Sequence, residues 1–528
     1  MNAKPALSAD MAASTREIFD VVVVGGGING AGIARDLAGR GLSVLMCEKD
    51  DLAQHTSSNS SKLIHGGLRY LEYGEFNLVR KALREREVLL RCAPHIMRPL
   101  RFVMPHNPAM RPAWLIRTGL YLYDHLAPRT VLADSAAVNL RHDPAGEALS
   151  ADCVRGFSYY DVQVNDARLV VLNARDAADR GARILVRTPC ARADRGTHEW
   201  SLQLALPDGT RTWVQARMLV NACGPWADSF LRDCAPGVDV RRNLRLVRGS
   251  HIVVRREYAY DGAFIFQNSD RRILFVLPWE DDFTLIGTTD VEHQQSPDRV
   301  EPTDAEVHYL CAQASRYLRQ PVTAADVVWR FAGVRPLLDD HARNPASVTR
   351  GYLLEEDHSA APLLSVWGGK LTTFRKLAEE ACERIIKRLG RGGPAWTADT
   401  PLPGGDLSQW TKPGDNPRRT FIDFVSALQA HYPALDPALV RRAARCYGSR
   451  ATRWMGDAMS MNDLGAEIVP GLREAELRYL VTQEWARSAD DVLWRRTRLG
   501  LHLPKYLRGE ARLRIDAAMD ALHSSPSH

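Results

Sequence analysis

Short apolar runs alternate with helical patterns along the first 390 residues. Residues 19–24 form an apolar, β-branched run, which glycines, a helical stretch at 31–40 and a second apolar run at 42–47 follow. Strand, helix and strand in this order predict a βαβ unit. Continuous apolar strands are typical of a parallel sheet that is covered on both faces.

The same patterns predict further elements. Residues 76–92 have the spacing of a helix, and another helix begins near residue 371. Further strands are predicted at residues 183–186, 218–221, 251–254, 273–277, 284–287 and 363–367. Glycine and proline concentrate at residues 390–405, which indicates a boundary. The chain beyond it is predicted to be mostly helical.

Composition excludes several classes of protein. The 69 Lys and Arg against 63 Asp and Glu leave a formal net charge of only +6, so no nucleic-acid partner is expected. The nine cysteines lack a CxxC pair and the 16 histidines lack metal spacing, so neither a disulfide framework nor a metal site is expected. We expect no signal peptide, no transmembrane helix and a cytoplasmic location.

The first glycines of the chain fit a dinucleotide-binding fingerprint. Gly25, Gly27 and Gly30 match G-x-G-x-x-G between a strand and a helix, with Ile28 and Asn29 inside the turn. Such a turn brings backbone amides and a helix N-terminus to a pyrophosphate. Glu48 ends the second predicted strand, where a carboxylate accepts hydrogen bonds from an adenosine ribose. The fingerprint alone leaves FAD and NAD open.

A second strand–glycine–helix turn favours a flavin. Its residues are Gly369, Lys370, Leu371 and Thr372, which follow the predicted strand at 363–367. Amides at such a helix start can stabilise negative charge on a reduced flavin ring. Two helix starts suit one extended cofactor that has a phosphate end and an electron-accepting end.

Several longer motifs resemble the aerobic glycerol-3-phosphate dehydrogenases. They are residues 24–32 (VGGGINGAG), 60–72 (SSKLIHGGLRYLE), 248–252 (RGSHI), 287–290 (GTTD), 333–337 (GVRPL) and 368–373 (GGKLTT). Residues 475–480 (AELRYL) and 488–498 (SADDVLWRRTR) resemble the C-terminal domain of that family. The resemblance extends from about residue 18 to residue 505.

The resemblance implies an α/β fold like that of D-amino-acid oxidase. We expect a disordered leader at 1–17 and, at 18–390, a Rossmann-like FAD-binding domain interleaved with an antiparallel-sheet substrate domain. The cap segments of that substrate domain are expected at about 76–160 and 240–345. A linker at 391–405 and a C-terminal helical domain at 406–528 complete the expected organisation.

The resemblance also implies an activity and its partners. The family oxidises sn-glycerol 3-phosphate to dihydroxyacetone phosphate with FAD, taking the hydride from C2 to flavin N5, and passes the electrons to a membrane quinone. It implies a homodimer that binds an anionic lipid surface, peripherally, on the cytoplasmic face of a bacterial inner membrane.

Site residues are assigned within the matching motifs. Arg69, Tyr70, Arg335, Arg350 and Lys370 are expected to contact substrate, because a phosphate dianion needs charged, preferably forked donors. The predicted catalytic residues are His251, preferred as the base, His65 and Arg335. By analogy with the family, Thr56, Ser57, Ser61, Lys62 and Gly224 join the fingerprint residues in binding the cofactor.

Other functions remain open from the sequence. A glycerol-3-phosphate oxidase that uses O2 would have the same pocket. An amino-acid or hydroxy-acid oxidase of the same fold would recognise a carboxylate instead. A flavin-bearing binding module without activity would give no reason to keep Arg69, Arg335 and Lys370 around a flavin.

Overall fold

The computed structural model describes residues 17–107, 111–129, 131–240, 242–268, 270, 272–338, 351–412, 414 and 416–524. The predicted leader at 1–17 lies outside this part of the chain except for Glu17. The strands in chain order are β1 (Ile18–Val24), β2 (Val44–Cys47), β3 (Leu63–Ile64), β4 (Met97–Pro105), β5 (Ala136–Asn139), β6 (Arg155–Val164), β7 (Arg183–Leu185), β8 (Cys190–Arg195), β9 (Trp200–Ala205), β10 (Arg211–Asn221), β11 (Leu244–Arg255), β12 (Ala263–Gln267), β13 (Ile273–Trp279), β14 (Phe283–Gly287), β15 (Val291–Glu292), β16 (Val327–Leu338), β17 (Tyr352–Asp357), β18 (Leu363–Gly368), β19 (Glu467–Val469) and β20 (Leu472–Arg473).

The α-helices are α1 (Ile28–Gly39), α2 (Phe76–Cys92), α3 (Ala113–His125), α4 (Asp166–Asp179), α5 (Ala227–Cys234), α6 (Asp304–Ser315), α7 (Phe374–Leu389), α8 (Pro417–His431), α9 (Pro437–Tyr447), α10 (Thr452–Met455), α11 (Glu474–Gln483), α12 (Leu499–His502) and α13 (Arg508–Ser524). A π-helical turn spans Asp491–Arg496. The helix predicted at residues 76–92 is confirmed as α2, and each predicted strand coincides with or lies largely within an observed one.

The first sheet is parallel from β18 through β10, β1 and β2 to β7, and its edge strand β17 pairs antiparallel with β18. Its strand order is β17-β18-β10-β1-β2-β7, in which β1 pairs in parallel with both β10 and β2. Along β1, Val21 and Val23 face a core with α1, α4 and α7, whereas Val22 and Val24 face a second core with β8, β9 and α5. Burial on both faces explains the unbroken apolar run in the sequence.

The second sheet is mostly antiparallel and has the order β15-β11-β14-β13-β12-β4-β6-β3, with β16 on β11 and β5 on β6. Its one parallel pair joins β12 and β4. Residues beyond 406 form a core of their own from α8, α9, α11 and α13, with a small hairpin, β19–β20. The predicted fold class is confirmed; the exact domain limits remain a prediction.

Across the described ranges, none of the helices combines the length and the apolar character needed to cross a membrane.

Candidate active site

The turn after β1 is shaped by glycines that leave no room for a side chain. Gly25 has φ +114°, and a Cβ there would lie 2.4 Å from the Ala222 carbonyl oxygen. A Cβ on Gly30 would lie 1.9 Å from the Gly25 carbonyl oxygen. Since non-bonded atoms cannot approach this closely, only glycine fits at either position. The turn therefore packs tightly against the end of β10. At the start of α1, Ile28 N donates to Ser57 Oγ, and the amides that follow it face a ligand position.

Glu48 lies at the end of β2 and is held by backbone amides. Its Oε2 accepts a hydrogen bond from Gly26 N at 2.6 Å, and its Oε1 accepts one from Asp50 N at 2.9 Å. Burial raises the pKa of Glu48, while these two amides favour its charged form. Each carboxylate oxygen keeps a lone pair for a ribose hydroxyl.

The second glycine turn lies beside the first. Gly368 and Gly369 have φ +74° and +106°, and the chain then enters α7 through a 3-10 turn at Leu371–Thr373. Asn29 Nδ2 donates to Gly368 O at 3.1 Å, which ties the start of α1 to this turn. Asn29 Oδ1 is buried and has no hydrogen-bond partner among the described residues. A buried acceptor of this kind indicates a missing donor, such as a flavin ring N–H or a ribose hydroxyl.

A cavity of about 530 Å³ connects the two turns. Most of the predicted site residues line it: Gly25, Gly27, Ile28, Asn29, Glu48, Thr56, Ser57, Ser61, His65, Tyr70, Gly224, Arg335, Gly369, Lys370, Leu371 and Thr372. Gly30, Lys62, Arg69 and His251 do not line it, and Arg350 lies outside the described residues. The sequence motifs therefore converge on one cavity, although these four members do not line it.

Arg335 and Lys370 bring positive charge to the cavity wall near the second turn. Arg335 forms an ion pair with Asp290 and donates to Thr288 Oγ1 at 3.1 Å. The Lys370 ammonium lies 3.9 Å from the centre of the Tyr70 ring. These partners hold both cations in place at the cavity wall.

The two predicted histidines occupy different positions. His65 lines the cavity, its amide donates to Thr372 Oγ1 at 3.2 Å, and its ring packs edge-on against Phe275. His251 is buried and stacks on Phe331, with Nε2 3.0 Å from Ser61 Oγ. Burial, with help from nearby cations, lowers the pKa of His251 well below its usual value, so its ring is neutral.

Lys62 and Arg69, which do not line the cavity, have partners within the protein. The Lys62 ammonium is buried and pairs with Asp166 at 2.7 Å. Burial lowers the pKa of Lys62 to about 8. Arg69 donates to the Tyr73 hydroxyl at 3.2 Å on the protein surface. The partner of Lys62 lies 104 residues away along the chain, so spacing alone could not reveal it, whereas Tyr73 follows Arg69 by four residues.

Three residues that line the cavity, Lys49, His55 and Asp290, are not among the site residues that the sequence predicts. Lys49 and His55 pack on the Trp226 ring, with the Lys49 ammonium 4.5 Å and the His55 ring centre 4.6 Å from it. Asp290 pairs with Arg335, and it ends the GTTD motif, which was a usable signal. Nothing in the local sequence marks Lys49 or His55, because they meet Trp226 only in the fold.

The residues at both turns fit FAD. The first turn supplies helix amides for a pyrophosphate, and Glu48 supplies an acceptor for ribose hydroxyls. Near the second turn, Asn29 Oδ1 can accept a hydrogen bond from the cofactor. A nicotinamide cofactor would need the same first turn, but it would not explain the second glycine turn.

Comparison with known proteins agrees with this assignment. Residues 20–375 match the family described as FAD dependent oxidoreductase, and residues 395–523 match the C-terminal domain of alpha-glycerophosphate oxidase. The chain is 49% identical over 493 residues to a glycerol-3-phosphate dehydrogenase of Pseudomonas aeruginosa, covering 92% of this chain and 93% of that protein. It is 46% identical over 490 residues to a D-erythritol 1-phosphate dehydrogenase of Brucella abortus, covering 92% and 95%.

A solved structure supports the same conclusion. The glycerol-3-phosphate dehydrogenase from Bacillus halodurans, complexed with FAD, superposes with a TM-score of 0.74 at 26% identity, covering 96% of this chain and 91% of that one. The resemblance found in the sequence motifs is thereby confirmed. The chain belongs to the FAD dependent oxidoreductase family, and its cofactor is FAD.

Proposed function

We propose that this enzyme oxidises sn-glycerol 3-phosphate to dihydroxyacetone phosphate. The observation that carries the proposal is the position of Arg335 and Lys370, which both line the cavity near the second glycine turn. A phosphate dianion needs cationic hydrogen-bond donors of this kind. The identity of 49% to a glycerol-3-phosphate dehydrogenase supports the same substrate.

The residues of the cavity suggest a division of labour. Lys370 and Arg335 hold the phosphate, and the Tyr70 ring keeps the Lys370 ammonium in position. When bound, FAD supplies the hydride acceptor, its N5 atom, for the hydrogen on substrate C2. The substrate hydroxyl must lose a proton at the same time, and His65 is the better placed acceptor because it lines the cavity whereas His251 does not.

The first test is anaerobic reduction of the flavin. Purified holoenzyme is mixed with sn-glycerol 3-phosphate, and the absorbance of the oxidised flavin near ~450 nm, a property of the cofactor, is followed. Rapid bleaching is expected with this substrate and none with amino acids or hydroxy acids. A flavin that stays oxidised with glycerol 3-phosphate but bleaches with a carboxylate substrate contradicts the proposal.

A second candidate substrate is D-erythritol 1-phosphate. The relative from Brucella abortus that bears this name is 46% identical, nearly as similar as the glycerol-3-phosphate dehydrogenase. Both compounds present a phosphate and a chain of hydroxyls, so Arg335 and Lys370 serve either one. The ratio of the two kcat/KM values decides between them. We expect the ratio to favour glycerol 3-phosphate.

We also propose that the electrons pass to a membrane quinone and that a homodimer docks peripherally on the cytoplasmic face of a bacterial inner membrane. The support is an exposed apolar patch on α3, formed by Trp114, Leu115 and Tyr121. The other face of α3 is buried, and there the Tyr123 hydroxyl accepts a hydrogen bond from Gly66 N, in the cavity wall. A lipid surface on this patch would therefore lie one helix away from the cavity.

Vesicles test the docking surface. Trp114→Ser and Tyr121→Ser together should reduce co-sedimentation with anionic vesicles, because each aromatic side chain contributes apolar area to the lipid interface. Tyr506→Ser, which changes an even more exposed aromatic ring on the C-terminal domain, is the matched control and should leave binding unchanged. Oxygen consumption that produces peroxide without quinone would favour the oxidase alternative over the quinone-linked enzyme.

A further inference from the structure

Two carboxylates outside the cavity connect the cofactor-binding segment to the C-terminal domain. Asp51 follows Glu48 by three residues and is 1% exposed. Arg496 donates to both of its oxygens, at 2.7 Å each, and Arg495 Nε donates to Oδ2 at 2.5 Å. Both arginines belong to the π-helical turn Asp491–Arg496 of the C-terminal domain. A forked, fully buried pair of this kind fixes the position of both partners.

Asp51 begins a turn that reaches the first glycine turn. Gln54 N donates to Asp51 O at 3.2 Å, and Ala53 N donates to Gly26 O at 3.2 Å. Ala53 and Gln54 line the cavity, whereas Asp51, Arg495 and Arg496 do not. The arginines therefore touch no part of the cavity themselves, and any effect they have on a ligand passes through the turn at 51–54.

Asp166, at the start of α4, makes a second connection. Its Oδ2 accepts hydrogen bonds from the Ser60 hydroxyl and from the Lys62 ammonium, both at 2.7 Å. Its Oδ1 accepts one from Arg498 Nη2 at 3.0 Å. Ser60 lines the cavity. The segment from Asp51 to Lys62 is thus held at one end by Arg495 and Arg496, in the π-helical turn, and at the other end, through Asp166, by Arg498, two residues after that turn.

We propose that the C-terminal domain acts as a clamp on the cofactor-binding segment 51–62, with Arg496 and Arg498 as positioning residues for FAD. Within that segment the Ser57 hydroxyl accepts from Ile28 N at 3.0 Å, so its position also sets which amides of α1 face the cofactor. Removing the clamp loosens these contacts without removing any group that touches FAD. This inference requires only that FAD is the cofactor and is independent of the proposed substrate.

The same domain interface contains a matched control pair. Arg168 on α4 and Glu484, just after α11, form a forked ion pair with Nη2 2.8 Å from Oε1, and both side chains are fully buried. This pair crosses the interface as Arg496–Asp51 does, but neither residue lies in the segment 51–62 or lines the cavity. Asp51→Asn and Glu484→Gln each replace one buried carboxylate by an amide of the same shape, so they cost stability for the same reason.

The experiment measures release of FAD from full-length holoenzyme by its fluorescence after dilution, together with the thermal unfolding midpoint. We expect Asp51→Asn and Arg496→Lys to raise the FAD dissociation constant about tenfold, the size typical of residues that orient a binding group. Glu484→Gln should lower the unfolding midpoint to a similar extent but change the dissociation constant less than about twofold. Excess FAD should restore the rate of flavin reduction in the first two variants.

Combining the substitutions completes the test. Asp51→Asn with Arg496→Lys should raise the dissociation constant no further than either change alone, because both break the same contact. Arg498→Lys should add to either of them, since it acts at the other end of the segment. The clamp is overturned if the dissociation constant tracks the unfolding midpoint across all variants, Glu484→Gln included, or if it changes in none of them.

Discussion

The cavity has two regions, one at the first glycine turn and one at Arg335 and Lys370, which we call its first and second ends. They are built in different ways. At the first glycine turn the ligand-facing groups are backbone amides and one carboxylate, fixed by Gly25 and Gly30, which admit no Cβ. At the other end they are long side chains, with Arg335 held by Asp290 and Lys370 by the Tyr70 ring. A site made of backbone depends on local geometry, whereas a site made of side chains depends on distant partners. Substitutions should therefore abolish function at the first end and reduce it by degrees at the second.

The largest effect is expected from Gly30→Ala. The new methyl group would lie 1.9 Å from the Gly25 carbonyl oxygen, so the turn must open and its amides must leave the pyrophosphate position. We expect protein that purifies without flavin, as judged by the absence of the yellow chromophore. Gly119→Ala on α3 is the control, because a Cβ there meets nothing within 4 Å. Flavin retained at full occupancy in Gly30→Ala would show that the backbone end tolerates change as the other end does.

The next largest effect is expected from Lys370→Met. Loss of one ammonium that faces a phosphate dianion removes a charged hydrogen bond, which contributes roughly 1.5–3 kcal/mol, so KM should rise about 10- to 100-fold. The flavin should remain bound, because the backbone of the second turn is unchanged. Steady-state kinetics on flavin-replete enzyme measure both. Lys376→Met, which removes an ammonium paired with Glu379 on α7, should leave KM unaltered.

A smaller loss of kcat/KM is expected from substitutions in the ion pair of Arg335 and Asp290, and either single substitution should cause most of it. Arg335→Lys keeps the charge but cannot keep both the Asp290 and the Thr288 contacts, so kcat/KM should fall about tenfold. Asp290→Asn should lower it for the same reason, since Arg335 loses the partner that aims it. The double variant should be little worse than either single one. Fully additive losses would mean that Asp290 acts on the substrate and not through Arg335.

The difference between groups fixed by local backbone and side chains held by distant partners also explains how much of the site could be predicted from the sequence. The turn with Gly25 and Gly30, its parallel strands and Glu48 follow from local pattern, since each residue acts through its own backbone or its strand end. The partners of Lys62 and Arg335 lie 104 and 45 residues away along the chain, so no spacing rule reveals them. For this reason the sequence predicts a role for Lys62 at the cofactor but gives no sign of its pairing with Asp166.

The smallest effect is expected in the pH dependence of stability at two buried histidines. One of them, His251, is also the alternative to His65 as the catalytic base. Burial lowers the pKa of His251 well below its usual value, and it lowers that of His95, which does not line the cavity, to about 3. Both are neutral in the fold, whereas the unfolded chain protonates them below about 6.5. The unfolded state then binds more protons, so stability falls as pH drops below 6.5, by at most about 1.4 kcal/mol per pH unit for each histidine.

Paired variants separate the structural from the catalytic consequence of these two histidines. His251→Asn and His95→Asn should each reduce the loss of thermal stability between pH 7 and pH 5, because one proton-linked group is gone. If His65 is the base, neither variant should lower the rate of flavin reduction more than about threefold. Loss of a general base typically lowers the rate about 10²-fold or more. A fall of that larger size in His251→Asn alone would restore His251 as the base. In that case the proton must travel through Ser61, whose hydroxyl lies 3.0 Å from the His251 ring and also lines the cavity.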